Sequence, residues 1–230
     1  MILQYILIGF APGLFWMAWL RHKDQLEPEP RLMLLRVFGL GCLSTVPVLL
    51  LRGFLEPMVP ATDGWSAWIV DAFLVTALLE EGSKFLAVFF GAYFHKELDE
   101  PLDGIVYGVA AALGFASVEN VIYLIYTDST MLILQRAFTA TLGHIAFTGS
   151  LGYFLGRAKF TAHRPVRWIA SGFLVALFLH GLYDVFLFAN GWVQWVSLVF
   201  VLPITLVLFG WKLRWSQSVS HHYHGSSDRL

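Results

Sequence analysis

Cysteine and charge are both scarce in this sequence of 230 residues. Its one cysteine, Cys42, cannot form a disulfide within the chain and excludes iron–sulfur clusters and cysteine-based zinc sites. Charged residues make up 13% of the chain, whereas a soluble domain carries roughly 25%. The net charge of −1 provides no basic field that would attract nucleic acid. These absences exclude a soluble enzyme and a nucleic-acid-binding protein.

Long apolar runs dominate what is present, since 57% of the residues are hydrophobic and the mean hydropathy is +0.67. A helix needs about 20 such residues to cross a bilayer. The alternation typical of barrel strands is absent, so these runs must be helices. The sequence therefore predicts an all-α fold, a polytopic transmembrane helix bundle of about seven helices. The predicted spans are residues 2–20, 32–52, 66–94, 104–127, 131–157, 166–189 and 192–214.

Short connections between the spans favour one transmembrane domain over residues 1–215, with the polar site on helices at about 66–189. A short polar C-terminal tail follows at 216–230; we expect its three histidines to be solvated rather than to bind metal. No basic residue precedes the first apolar run, which we expect to be a retained helix rather than a cleaved signal peptide.

Basic residues concentrate in alternate loops. The first, third and fifth loops and the C-terminal segment hold nearly all of them, and by the positive-inside rule these segments are cytoplasmic. We therefore expect the N-terminus outside the cell and the C-terminus in the cytoplasm. The residues are Arg21, Lys23, Arg31, Lys96, Arg157, Lys159, Arg164, Arg167, Lys212, Arg214 and Arg229.

Small residues recur four apart on the fourth and fifth predicted helices, as at Gly104 and Gly108 and at Gly152 and Gly156. Such spacing lets helix backbones approach closely in lipid. We expect these two helices to form the centre of the bundle.

Ionisable residues lie in the middle of four predicted helices, where each costs roughly 3 kcal/mol to insert. At ~1.5 Å per residue from the cytoplasmic ends, Glu81, Glu119, His144 and His180 all lie at a depth of ~20–23 Å. A common depth on four helices favours one shared site over separately buried polar groups. We expect these four side chains to surround one cavity. The full set is Glu80, Glu81, Lys84, Glu119, His144, His180 and Asp184.

The spacing of these residues suggests their roles. Glu80 and Glu81 project about 100° apart on a helix, and Lys84 lies within salt-bridge reach of either. One carboxylate can then be neutralised while the other faces the cavity, an arrangement that acid–base chemistry requires. Asn120 can donate an amide N–H to a neighbour or to a developing oxyanion.

Histidines and carboxylates at one depth also predict a metal site, and such nitrogen and oxygen ligands suit zinc. The candidate ligands are His144, His180, Glu119 and Asp184. Asp184 follows His180 by four residues on one helix face, so it can ligate the metal or accept the second ring N–H. The sequence has no HExxH motif, which excludes the common zincin arrangement.

Four elements in order resemble a known family: EExxK from Glu80, FxxxEN from Phe115, His144, and HxxxD from His180. Together with the first-loop segment 24–30 and the segment 99–104, they resemble the PrsW family of intramembrane proteases over about residues 21–190. PrsW is distantly similar to the CAAX-protease and bacteriocin-processing superfamily. In that superfamily the second motif ends in His, where this chain has Glu119.

The resemblance implies a metalloprotease of the bacterial cell membrane that cleaves single-pass anti-sigma factors near the outer face. The expected partners are thus a single-pass membrane protein substrate and the lipid bilayer, without nucleic acid. In this hypothesis Glu80 or Glu81, with Glu81 slightly preferred, activates a water, and Lys84 tunes the glutamates. Zinc is the expected cofactor, held by the two histidines and a carboxylate, and a metal-free glutamate mechanism is the alternative.

A rival hypothesis of another class is a proton- or cation-coupled transporter, because buried Glu, His and Asp chains also relay protons. The sequence shows no internal repeat and no helix broken at the site, which would be typical of such a transporter. A third hypothesis, a non-catalytic membrane scaffold, requires no convergent polar belt.

Overall fold

The chain forms a helical bundle in a computed structural model, which confirms the predicted all-α class. No strand occurs in the described residues. Asp24 to Glu27 of the first-loop motif and the side chains of the tail histidines lie outside these residues. The structure describes residues 1–23, 28–61, 63–161, 164–189 and 191–227, without the side chains of 23 and 221–227.

Eleven α-helices occur in the described part of the chain, several of them continued by single π-helical or 3₁₀ turns. The π-helical turns are Asp71–Ala77, Phe89–Tyr93 and Ser197–Val201, and the 3₁₀ turns are Glu56–Met58 and Gly191–Val193. The helices are α1 (Ile2–Lys23), α2 (Arg31–Leu43), α3 (Thr45–Leu55), α4 (Trp65–Val70), α5 (Leu78–Val88), α6 (Pro101–Thr127), α7 (Thr130–Phe138), α8 (Ala140–Phe160), α9 (Pro165–Phe188), α10 (Gln194–Val196) and α11 (Leu202–Ser227).

Within the described residues, five helical stretches are long and apolar enough to cross a membrane, and they match five of the seven predicted spans. Four of them expose much of their apolar surface in the isolated chain, as lipid-facing helices require, whereas Pro101–Thr127 is mostly buried inside the bundle. The stretches are Ile2–His22, Arg31–Met58, Pro101–Thr127, Pro165–Phe188 and Gly191–Ser220.

The other two predicted spans carry half of the predicted site residues, namely Glu80, Glu81, Lys84 and His144. Residues 65–93 are helical throughout, from α4 through two π-helical segments and α5. The three charges of the EExxK motif are what set this helical stretch apart from the five apolar ones. The predicted span 131–157 is wrong as a single helix, because the backbone at Thr139 (φ −122, ψ −86) leaves helical geometry. Its first part is therefore the separate helix α7, and α8 begins only at Ala140.

Helix α6 lies at the centre of the bundle and packs against α1, α2 and α8. Glycines allow its closest contact: a Cβ added at Gly104 would lie 2.3 Å from the carbonyl oxygen of Gly152, and one at Gly152 would lie 2.0 Å from that of Gly104. The predicted close approach of these two helices is confirmed. It brings the side chains of α6 and α8 together at the depth of the predicted site.

Candidate active site

A cavity of about 210 Å³ lies among the helices from α5 to α9. Its walls include Glu119, His144 and His180, which the sequence places at a common depth. The expectation that Glu81 also lines this cavity is wrong. Glu80 lines it instead, because neighbouring residues on a helix point about 100° apart and only one of the two can face inward.

Glu80 has one carboxylate oxygen that accepts no hydrogen bond from the described residues. The residue is buried, and its Oε2 has no hydrogen-bond partner within the described part of the chain. The nearest cations and potential donors are Lys84 Nζ at 3.6 Å and His180 Nε2 at 3.9 Å. A buried carboxylate oxygen left open beside two histidines is a group poised to bind a proton or a metal ion.

Glu81, in contrast, is completely buried and fully hydrogen-bonded. Its Oε1 accepts from Lys84 Nζ at 2.6 Å and from His180 Nδ1 at 2.9 Å, and its Oε2 accepts from Thr148 Oγ1 at 2.9 Å. These contacts come from three different helices and hold the carboxylate away from the cavity. Its geometry suits a positioning role better than that of a proton acceptor.

Lys84 connects the two glutamates to His144. Its ammonium is fully buried, lies within ion-pair distance of both Glu80 and Glu81, and donates to Nδ1 of His144 at 3.1 Å. The same ammonium lies 4.4 Å from the centre of the Phe115 ring. The prediction that Lys84 pairs with the EExxK glutamates is confirmed, and the pair supplies the compensation that a buried ammonium requires.

His180 is held by a carboxylate at each ring nitrogen. Nδ1 donates to Glu81, and Nε2 lies 3.2 Å from Asp184 Oδ2, the partner expected from their spacing. The ring also stacks on Phe147, with 5.0 Å between centroids and 19° between planes. Together these contacts fix the ring with Nε2 towards Glu80 and the cavity.

His144 is also engaged at both nitrogens. With Nδ1 accepting from Lys84, Nε2 carries the hydrogen and donates to Glu119 Oε2 at 2.9 Å. The same Glu119 oxygen accepts from Arg136 Nη2 at 2.7 Å. Glu119 is therefore an anion shared by a guanidinium and an imidazole.

Asn120 does not line the cavity described above. Its Oδ1 accepts from Arg136 Nε at 2.8 Å, and its Nδ2 donates to the Gly9 carbonyl at 3.5 Å. Asn120 thus positions Arg136 and ties α6 to α1, a role different from donation to an oxyanion.

Arg136 is the main site residue that the sequence analysis missed. It lies on the cavity wall and is nearly buried, and its guanidinium lies 3.9 Å from the centre of the Tyr123 ring. The signal was available, because Arg136 interrupts an apolar run as the other ionisable residues do. Thr148 was missed as well, but a threonine in a membrane helix carries no comparable signal.

One group of potential metal ligands occurs among the described residues. Glu80, His144 and His180 each offer one ligand atom, and these atoms lie within 4.8 Å of one another. Two imidazoles and a carboxylate fit zinc chemically. Each histidine can join such a site only by exchanging a contact: His144 with Lys84 or Glu119, and His180 with Glu81 or Asp184. The predicted ligands Glu119 and Asp184 lie outside this group, bound to Arg136 and to His180.

Comparisons with known proteins show the family of this chain. The family described as PrsW family intramembrane metalloprotease matches residues 29–209. Protease PrsW of Geobacillus kaustophilus (strain HTA426) is 36% identical over 182 residues, which is 79% of each chain. Protease PrsW of Bacillus subtilis (strain 168) is 34% identical over 208 residues, 90% of this chain and 91% of the relative.

A third relative, Protease PrsW of Clostridioides difficile (strain 630), is 33% identical over 219 residues, 93% of this chain and 89% of the relative. The comparison with solved structures finds no match. The resemblance seen in the motifs is confirmed, and the transporter hypothesis gains no support. The chain belongs to the PrsW family of intramembrane metalloproteases, integral membrane proteases of bacteria that act on membrane proteins.

Proposed function

We propose that this protease hydrolyses a peptide bond in or near the transmembrane segment of a single-pass membrane protein such as an anti-sigma factor, with Glu80 as the proton acceptor. The observation that carries the assignment of Glu80 is its open carboxylate oxygen, buried in the cavity wall 3.9 Å from His180 Nε2. Neither oxygen of Glu81 is open in this way.

Hydrolysis of a peptide bond requires a water, a base, and positive charge where the carbonyl oxygen becomes an oxyanion. In our proposal Glu80 Oε2 takes the proton of the water and returns it to the leaving amine. Arg136, held by Glu119 and Asn120 on the cavity wall, places a guanidinium where it can stabilise the oxyanion.

Glu81 and Lys84 act on the reaction through their neighbours. Lys84 keeps Glu81 anionic, and Glu81 accepts the Nδ1 hydrogen of His180. The ring is thereby fixed with Nε2 towards the cavity. Carboxylates orient the histidines of metal sites in the same way. We therefore assign Glu81 and Lys84 as positioning residues.

A zinc ion would be held by Glu80, His144 and His180, with Asp184 beside His180. When bound, zinc supplies a water of pKa about 7 and polarises the substrate carbonyl. Glu80 would then be one of the residues that hold the zinc as well as the proton acceptor.

We propose the N-terminus outside the cell and the C-terminus in the cytoplasm. The basic first, third and fifth loops support this orientation. Two long-range contacts also support a common side for these loops: Tyr107 donates to Glu29, and Lys159 Nζ donates to the His95 carbonyl at 2.8 Å.

The test uses the purified chain in liposomes with a single-pass anti-sigma factor, and mass spectrometry identifies the products. We expect cleavage by the wild type and a loss of at least ~100-fold for Glu80→Gln, the scale of general-base catalysis. Glu56→Gln, at an exposed position outside the cavity, is the matched control and should cleave normally. Wild-type rates for Glu80→Gln would overturn the assignment.

A further inference from the structure

We propose that the transmembrane segment of the substrate reaches Glu80 from the lipid through a groove between α3 and α6. We call it the α3–α6 groove. This inference rests on the proposed function, since it specifies the path of the proposed substrate. Its occupant is one apolar membrane-spanning segment of another protein.

The α3–α6 groove has a volume of about 490 Å³. Its walls are mainly apolar, with Val48 and Leu49 on α3 facing Phe115 and Ile122 on α6. Leu49 is 57% exposed in the isolated chain. A groove with such walls at the lipid-facing side of the bundle suits an apolar segment. Its charged residues, Arg52, Glu80 and Glu119, are those that also line the active-site cavity.

The inner end of the groove is continuous with the active-site cavity. Glu80 and Glu119 line both, as do Arg52 and Tyr123. A segment lying in the groove therefore meets the open carboxylate of Glu80 without passing another helix. This continuity distinguishes the groove from an ordinary lipid-filled crevice.

Helix α3 forms a thin outer wall. Only Thr45 and Val48 are buried along its length. At its end Arg52 reaches across to the π-helical turn after α4, with Nη2 3.4 Å from Asp71 Oδ1 and Nη1 3.3 Å from Thr76 Oγ1. Arg52 thus ties α3 to the π-helical segment before α5 rather than to α6, which leaves the boundary with α6 as the place where the wall can separate.

A second opening of about 560 Å³ extends from the cavity between α7 and the segment around α10. Its walls are largely apolar, with Leu132, Leu187 and Leu198, and they also include Gln135 and Gln194. Neither Glu80 nor Glu119 lines it. Because its walls are also largely apolar but do not include Glu80, it provides the comparison for the test.

The experiment bridges each opening in turn with a bifunctional methanethiosulfonate reagent in a Cys42→Ser background. Leu49→Cys/Ile122→Cys places one thiol on each wall of the α3–α6 groove, and Leu132→Cys/Leu198→Cys does so across the second opening. Cleavage of the single-pass substrate is measured before bridging, after bridging, and after release with dithiothreitol.

We expect bridging of the α3–α6 pair to lower cleavage at least tenfold and dithiothreitol to restore it, while bridging of the other pair leaves the rate unchanged. Unchanged cleavage after bridging the α3–α6 pair would overturn the inference, as would equal inhibition by both bridges. The Cys42→Ser protein without an engineered pair reports separately on the proposed function, since its cleavage of the substrate tests the protease assignment with both openings unaltered.

A second measurement does not require an active variant. A photo-crosslinking amino acid at Leu49 or at Leu132, each combined with Glu80→Gln, is irradiated with the same substrate in liposomes. We expect the transmembrane segment of the substrate to be captured from Leu49 at least tenfold more than from Leu132. Equal capture, or capture from Leu132 alone, would overturn the inference.

Discussion

The carboxylate of Glu81 lies 2.9 Å from Nδ1 of His180, a residue 99 positions further along the chain. This contact separates the roles of two adjacent glutamates, because it occupies Glu81 and leaves Glu80 to face the cavity. It also explains how the EExxK and HxxxD motifs act together: one orients the histidine of the other.

Glu81→Gln is expected to reduce stability as well as cleavage. The change leaves the Lys84 ammonium without its closest counter-charge, and breaking a buried ion pair in this way costs ~3–5 kcal/mol. Glu80→Gln should instead abolish cleavage and leave stability near that of the wild type, because the lost oxygen makes no hydrogen bond to the described residues. Thermal unfolding in detergent, measured beside cleavage, checks both. A destabilised Glu80→Gln with a stable Glu81→Gln would reverse the two assignments.

Lys84→Met should destabilise the protein and lower cleavage, since it leaves Glu80 and Glu81 buried near each other without the cation between them. Adding Glu81→Gln to Lys84→Met removes one of the two charges and should restore part of the lost stability. A double-mutant cycle of unfolding free energies measures the coupling. Strictly additive changes would show that the ion pair contributes nothing beyond its separate residues.

Metal removal tests zinc as the cofactor. We expect a zinc chelator to inhibit cleavage and added zinc to restore it. Metal content should fall from about one ion per chain to background in His180→Ala, because that change deletes a candidate ligand. All proteins compared carry alanine at His221, His222 and His224 so that the tail histidines cannot contribute metal. Full cleavage by metal-free protein would reject zinc and leave the metal-free glutamate mechanism.

The contact between α6 and α8 should tolerate no side chain at its centre. A Cβ at Gly152 would lie 2.0 Å from a backbone oxygen, so Gly152→Ala should cost ~1–3 kcal/mol through overpacking. Gly210→Ala on α11 meets nothing within 4 Å and should be neutral or slightly stabilising, since alanine favours helices. Thermal unfolding of the two variants gives the comparison. Equal stability would show that the helices can separate there at no cost.

The sequence by itself determined the membrane bundle, since long apolar runs permit only helices in lipid. It also identified several residues of the polar site, although not Arg136 or Thr148. A charged side chain inside such a run costs free energy on insertion into the membrane, so its presence indicates a function or an ion pair. The common depth of Glu119, His144 and His180 placed these three residues together. The pairing of Lys84 with the glutamates followed from helix spacing alone.

Only the tertiary structure decided which side of each helix faces the cavity. Depth along a helix follows from counting residues, but rotation about its axis is set by packing against neighbours, so Glu80 rather than Glu81 lines the cavity. For the same reason Asn120 is turned towards Arg136 and Gly9. The break at Thr139, which separates α7 from α8, likewise has no apolar-to-polar boundary in the sequence to mark it. Local composition fixes the helices and their depth, whereas contacts between residues far apart in the chain fix their rotation.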